Sequence, residues 1–251
     1  MLGGMTVPND LLVLYNPAAG RGRHGRSPKA VSDSLRACGL PHTMFITEAQ
    51  GHAHALVAEH GKAVEGVLVV GGDGSLHEVI QALDLSRHKL AVLPWGTGND
   101  FAWMHNWTRD PEACGLRIAA NGERRIDLGQ WSARLASGET RSGRLHNSLG
   151  LGFEAVVNHE SHRITGVKGP ALYGLALVKT LRRFRPDPVR LAWDEGELET
   201  ETALTCLANG RRVGGAFHLA PQAKTNDGRL DLVLVGKIGW ATLLALLPRT
   251  L

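Results

Sequence analysis

Short apolar runs recur through the first part of the chain, each cut off by glycine, proline or asparagine. Leu11 to Tyr15 stops at Asn16-Pro17, Val67 to Val70 stops at Gly71-Gly72, and Leu90 to Leu93 stops at Pro94. Runs this short, rich in β-branched residues and bounded by turn formers, predict buried strands, and Met44-Phe45-Ile46 adds another. Between them the apolar positions change to a helical period. Ser27-Pro28 has the N-cap and first-turn preferences of a helix carried by Val31, Leu35 and Cys38 and closed by Gly39. Ala53 to His60 predicts a second helix, stopped by Gly61. Leu76, Val79, Ile80 and Leu83 predict a third, opened by the capping-box spacing of Ser75 and Glu78. Strands alternating with helices predict a parallel sheet with right-handed crossovers.

The pattern changes near Asn121-Gly122. Beyond it strand-like runs predominate: Ile126 to Ala133, Arg144 to Leu149, Val189 to Trp193, Thr202 to Ala208 and Leu230 to Val235. Two helical stretches interrupt them, Phe153 to His159 and Ala171 to Arg182, and Trp240 to Leu247 is a further apolar helix. The chain therefore divides into an α/β domain over residues 1–121 and a β-rich domain over residues 122–251, without internal repeats.

Composition narrows the classes. The chain has 251 residues, enough for one large or two medium domains, and its net charge of +4 gives little support to nucleic-acid binding. Cys38, Cys114 and Cys206 are scattered, with no CxxC pair, which favours a reducing compartment. Met1 to Asp10 shows no signal-peptide pattern, and no apolar run approaches the roughly 20 residues that span a bilayer. These features predict a cytoplasmic protein, with room for peripheral attachment to the inner face of the membrane and for a homodimer.

The chemistry concentrates in the loops that leave the strands' carboxyl ends, where open α/β sheets bind ligands. Gly71, Gly72 and Gly74 let backbone N–H groups lie against a ligand, and the following helix N-terminus favours phosphate. Asp73 sits inside that turn, where its charge is unfavourable beside phosphate unless a cation intervenes. Gly96, Thr97, Gly98, Asn99 and Asp100 form a second polar glycine loop. Asp127 lies between Ile126 and Leu128, a costly place for an acid without a cation or donors. Asp73, Asp100 and Asp127 are the candidate metal carboxylates. The first loop is ambiguous. Gly20-Arg21-Gly22-Arg23-His24-Gly25 matches a dinucleotide fingerprint and nearly matches a P-loop, yet Asn16 to Ala19 separates it from its strand. A phosphate-facing loop beginning at Asn16, with Arg21, Arg23 and Arg26 as outlying charges, is the more economical reading. His52 and His54 point to different faces of their helix. Lys179, Arg182, Arg183 and Arg185 either meet anionic lipid or form a solvated helix end.

Taken together, Asn16-Pro17-Ala18-Ala19-Gly20, Gly71-Gly72-Asp73-Gly74-Ser75, Pro94 to Ala102 and Ile126-Asp127-Leu128-Gly129 resemble, in order, the motifs of the diacylglycerol kinase catalytic-domain family. The likeness continues through Asn147 to Gly152 and through Ala220-Pro221 to Asp227-Gly228-Arg229-Leu230-Asp231. It implies an ATP-binding α/β domain with a parallel sheet, and a β-rich, sandwich-like lipid domain. It places nucleotide contacts on Asn16, Pro17, Ala18, Ala19, Gly20, Thr47, Gly72, Asp73, Gly74, Ser75, Leu76, His77, Glu78 and Thr97. Asp73, Asp100 and Asp127 match the acids that hold a catalytic Mg²⁺ through water. Lys224, Asp227 and Arg229 match a second, structural Mg²⁺ site, the first and last through backbone carbonyls. Read alone, Asp227-Gly228 predicts a hairpin turn.

Ser75 stands where the family has Thr, and His77 where Asn is common. The family's general base is a Glu in an Asp-Gly-Glu motif. No such motif occurs here, so the second domain is expected to be incomplete at its C-terminus. The resemblance implies transfer of the ATP γ-phosphoryl group to a lipid hydroxyl at a membrane surface, with diacylglycerol as the favoured acceptor. The alternatives are a catalytically silent nucleotide-binding member, an NAD kinase-like enzyme and, more remotely, an NAD(P)-dependent dehydrogenase.

Overall fold

Every residue of Leu11–Tyr15 (β1) and Gly66–Gly71 (β3) is buried, so both strands must be covered on both faces. They form the middle of a four-stranded sheet, with His42–Ile46 (β2) and Lys89–Pro94 (β4) outside them in the order β2-β1-β3-β4, all parallel. The computed structural model describes residues 11–22, 26–152 and 187–236. Leu11, Val13, Tyr15, Leu68, Val70 and Leu93 point to one face, where they meet Val31 and Leu35 of helix α1 (Pro28–Ala37) and Cys114 of helix α5 (Pro111–Ala119). The alternating residues Leu12, Leu14, Val67 and Val69 are equally buried on the other face. Helices α2 (His52–His60) and α3 (Asp73–Ala82) bury Leu56, Val57, Leu76, Val79 and Ile80. Each such side chain contributes about 1.5–3 kcal/mol when fully buried. Helix α1 starts as its sequence predicts: Ser27 caps it, accepting from the Ala30 N–H at 3.2 Å, and Pro28 opens its first turn.

The chain forms two compact units, and their boundary is not the simple cut at residue 121. Residues 127–129 and 147–251 make the second unit, while 130–146 group with the first. The strands Gly129–Arg134 (β5) and Thr140–Leu145 (β6) pair as a hairpin fastened to α3. Gln81 of α3 accepts from the Arg144 N–H at 2.8 Å and donates to its carbonyl at 2.9 Å. The Arg144 guanidinium donates to the carbonyls of Ile80 and Leu83, acceptors at that helix's end. The single strand expected over Arg144 to Leu149 is therefore two, β6 and Ser148–Gly152 (β7), broken at His146-Asn147. Asn147 breaks it because its carbonyl accepts from both Asn209 and Gly210 N–H groups instead of a ladder partner. The strand expected from Ile126 starts at Gly129, since the Asp127 N–H is taken by the Thr225 carbonyl at 2.7 Å.

In the second unit a long strand, Gly196–Ala208 (β9), pairs antiparallel with Asp187–Trp193 (β8) along its first half. Its second half pairs with β7 and with Asp231–Gly236 (β10). Cys206, Ala208, Ala220 and Ala223 form its buried core, flanked by Leu204, Leu219 and Val233. The helices expected over Phe153 to His159, Ala171 to Arg182 and Trp240 to Leu247, and the charge of Arg23, lie outside the described residues. Among the described residues no helix is long and apolar enough to cross a membrane.

Candidate active site

Three strand ends of the first unit converge through their backbones. Asn16, just past β1, donates from its N–H to the Val70 carbonyl at 2.9 Å and accepts on Oδ1 from the Ala18 N–H at 2.9 Å. Its Nδ2 donates to Ser75 Oγ at 2.8 Å, tying the first loop to α3. Pro17 and Ala18 are exposed, whereas Ala19 is buried. Gly20 has φ 57°, and a Cβ there would lie 2.5 Å from the Trp95 carbonyl oxygen. Arg21 follows at φ 63°, a left-handed conformation uncommon for a residue with a side chain. Thr47, after β2, is buried, with its N–H on the Tyr15 carbonyl at 2.8 Å.

Helix α3 begins earlier than the Ser75-Glu78 spacing predicts. Its N-cap is Gly72, without a side-chain cap, and Asp73 is its first residue. Ser75 lies a turn too late to cap, and its Oγ is engaged by Asn16. Glu78 is half-buried, Gly74 and His77 are exposed, and Leu76 packs in the core with only its backbone toward the turn. Across from this turn runs the loop after β4. A Cβ on Gly72 would sit 2.7 Å from Gly96 Cα, and one on Gly96 would sit 2.4 Å from Gly72 Cα. Two glycines are thus required for the backbones to touch. Asn99, at φ 53°, closes the second loop on itself: its Oδ1 accepts from the Gly96 N–H and its Nδ2 donates to the Gly96 carbonyl. Thr97 stays exposed at the loop's tip.

Helix α4 (Asp100–Met104) starts immediately after that loop. Asp73 Oδ1 accepts from the Phe101 N–H at 3.3 Å, so the carboxylate of one helix start caps the next. Asp100 is buried at the first position of α4. The structure therefore joins Asp73, Asp100, the Gly72 turn, Asn16 and Ser75 in one place. Exposed N–H groups of α3 and the helix dipole make that place favourable for an anion. Among the described residues no three His, Cys, Asp or Glu side chains stand close enough to hold a metal by themselves.

Two histidines that the sequence pattern does not single out lie beside this site. Phe101 packs 4.5 Å from His105 and 5.6 Å from His146, centroid to centroid. His77 comes within 6.3 Å of His146. Burial, reinforced by His77 and His105, pushes the His146 imidazole down to about 3, so it is neutral at ordinary pH. Only its position before the Asn147 motif hints at it.

The second unit holds the remaining candidates. Asp127 accepts on Oδ2 from the Gly228 N–H at 2.8 Å, and its carbonyl accepts from Asn209 Nδ2 at 2.9 Å. Asn209, fully buried, is another residue that the sequence pattern does not single out. Asn147 donates from Nδ2 to the Arg212 carbonyl at 2.9 Å. Lys224, Asp227 and Arg229 share one exposed stretch, in which Asp227 Oδ1 accepts from the Arg229 N–H at 3.2 Å. Asp227-Gly228 is not a hairpin turn between paired strands. It ends the long connection from β9 to β10, and the Gly228 N–H is spent on Asp127.

Residues 10–131 match the family model described as diacylglycerol kinase catalytic domain. Residues 147–251 match the model described as YegS C-terminal NAD kinase beta sandwich-like domain. A diacylglycerol kinase of Mycobacterium tuberculosis is 29% identical over 238 residues, covering 94% of this chain and 76% of that protein. A protein of Pseudomonas aeruginosa named probable lipid kinase YegS-like is 31% identical over 228 residues, 90% of this chain and 71% of that one. The crystal structure of a diacylglycerol kinase from Bacillus anthracis shares the fold with a TM-score of 0.70 at 21% identity, covering 96% and 81% of the two chains.

Proposed function

Because the chain belongs to the diacylglycerol kinase catalytic-domain family of lipid kinases, with its sandwich-like companion domain, we propose that it transfers the γ-phosphoryl group of ATP to a lipid hydroxyl. The relatives named diacylglycerol kinase support diacylglycerol as the acceptor, giving phosphatidic acid. The observation that carries the reading is the Gly72–Gly96 contact, which sets two helix starts and their acids, Asp73 and Asp100, side by side.

Phosphoryl transfer asks mainly for positioning and for neutralisation of charge. Asn16 to Gly20, Thr47, Gly72 to Glu78 and Thr97 position the nucleotide, chiefly through backbone N–H groups at the helix start. Arg21 and the α3 dipole oppose the phosphate charge. Asp73 and Asp100 offer only oxygen donors, the ligand type that suits Mg²⁺. They would hold that ion, which supplies charge neutralisation at the phosphates when bound. Asp227, with the carbonyls of Lys224 and Arg229, is likewise an all-oxygen set for a second, structural Mg²⁺. His146, buried and neutral, packs on Phe101 beside the start of α4 and adds no charge there.

The test is labelled ATP and Mg²⁺ offered with a panel of acceptors: diacylglycerol, ceramide, sphingosine, phosphatidylglycerol and NAD. Label in a lipid product supports the reading, with the most label expected in phosphatidic acid. Label in NAD alone would replace it with the NAD kinase reading.

A further inference from the structure

Asn16 has four polar groups, and the protein uses all of them. Its N–H donates to the Val70 carbonyl at 2.9 Å, and its own carbonyl accepts from the Ala19 N–H at 3.2 Å. Its Oδ1 accepts from the Ala18 N–H at 2.9 Å. Because a backbone N–H faces one end of the side-chain amide, the other end is the NH₂ group, which can only donate. Its partner, Ser75 Oγ at 2.8 Å, is therefore the acceptor in that bond. The pair fills the space over Gly71, where a Cβ would lie 2.6 Å from Ser75 Oγ and 3.6 Å from Asn16 Cβ. With its oxygen so engaged, the Ser75 hydroxyl keeps its own proton, and among the described residues no acceptor takes it.

Ser75 is the third residue of α3. The first bond of that helix runs from the Leu76 N–H to the Gly72 carbonyl at 3.0 Å. The N–H groups of Asp73, Gly74 and Ser75 precede it and need acceptors from outside the helix. The Ser75 O–H is a fourth donor beside them.

We propose that Asn16 is a positioning residue and not itself a nucleotide contact: its side-chain amide holds the Ser75 oxygen so that the hydroxyl proton faces the nucleotide phosphate. The inference rests on the reading that the start of α3 binds the phosphates of ATP. Serine turns among three staggered wells, and the bond from Asn16 selects one of them. Phosphate oxygens carry charge and only accept, so a hydroxyl that meets them must donate, and donation to an anion is the stronger kind of hydrogen bond. Asn16 settles the direction of that proton before the ligand arrives.

The experiment is titration calorimetry of ATP with Mg²⁺, without lipid, on wild type, Ser75→Ala, Asn16→Asp, Asn16→Ala and the two double variants. Ser75→Ala should weaken binding roughly tenfold, the worth of one hydrogen bond to a charged acceptor. Asn16→Asp keeps Oδ1 for the Ala18 N–H but puts an acceptor where the donor was, so the hydroxyl turns its proton onto the new carboxylate. This variant should melt within a few degrees of wild type. Its loss of affinity should be about tenfold greater when made alone than on top of Ser75→Ala, where only the added charge remains. Asn16→Ala adds no charge and gives the comparison independently, costing severalfold more alone than on top of Ser75→Ala. A bond that only fastened the loop would behave otherwise, because a carboxylate still bonds the hydroxyl and leaves only the charge effect. Equal losses with and without Ser75, for either Asn16 substitution, would overturn the proposal. Failure of the lipid-kinase reading would appear separately, as a wild type that binds ATP and shows this coupling yet labels no lipid.

Discussion

Gly96 shows how single positions shape the site. A methyl there would press on the Gly72 backbone and lie 2.8 Å from Asn99 Oδ1, a side chain held in place by its own two bonds to Gly96. Gly96→Ala should therefore cost about 1–3 kcal/mol, read as a lower denaturant midpoint, and should weaken nucleotide binding by displacing the α3 start. His146 gives a second residue-scale expectation. Its folded pKa of about 3 lies below its unfolded value of 6.5, so the unfolded chain binds the proton first as pH falls. Its contribution is complete above pH 6.5 and is lost progressively toward pH 3. A tenfold difference in proton affinity between the two states is worth about 1.4 kcal/mol, so the loss reaches a few kcal/mol. Melting curves at pH 7, 5.5 and 4 should show a steeper decline for wild type than for His146→Leu. Parallel declines would remove His146 from the account. The glycine-bounded loops and the acids were legible in the sequence because each has a residue type that the chemistry demands. His105 and His146 were not, since a histidine's environment is set by what packs around it.

At the scale of elements, local pattern foretold the parallel sheet well and helix α3 less well. β1 falls on the run that predicts it, and Ser27 caps α1 as expected. The capping-box pattern at Ser75 misleads because a tertiary bond from Asn16 takes the hydroxyl. Arg144 is another case in which distant residues decide. Nothing in its neighbourhood says that its guanidinium will finish α3 by taking the Ile80 and Leu83 carbonyls. Arg144→Ala should lower stability by about 2 kcal/mol, typical for charge-assisted bonds to otherwise bare helix carbonyls. Hydrogen exchange should quicken in the last turn of α3 and in the β5–β6 hairpin. Loss of stability without local exchange would show that the hairpin is held by other means.

For the molecule as a whole, the sequence pattern changes near residue 121, whereas the contacts group residues 130–146 with the first unit. The β5–β6 hairpin follows the change of pattern at Asn121-Gly122, yet it bonds to α3 and belongs to the first unit. A strand's sequence reports its pleat and burial, not the sheet or helix it will meet. The second unit carries the structural Mg²⁺ expectation. If Asp227 holds the ion, added Mg²⁺ should raise the melting temperature, because binding only to the folded state stabilises it by about 2.7 kcal/mol at 100 Kd. Asp227→Ala should abolish that response to Mg²⁺ and to EDTA. An unchanged response in the variant would assign the ion elsewhere.

The central claim is phosphoryl transfer to lipid at the site built around Asp73, and one paired measurement addresses it. Asp73→Asn keeps an oxygen for the Phe101 N–H and removes only the charge, so the fold should survive. Wild type and variant are incubated with labelled ATP, Mg²⁺ and diacylglycerol in mixed micelles, and label in phosphatidic acid is counted alongside a melting curve. The account predicts label in the wild type and a loss of at least a hundredfold in a variant that melts within a few degrees of it. Equal labelling by the two proteins would contradict it.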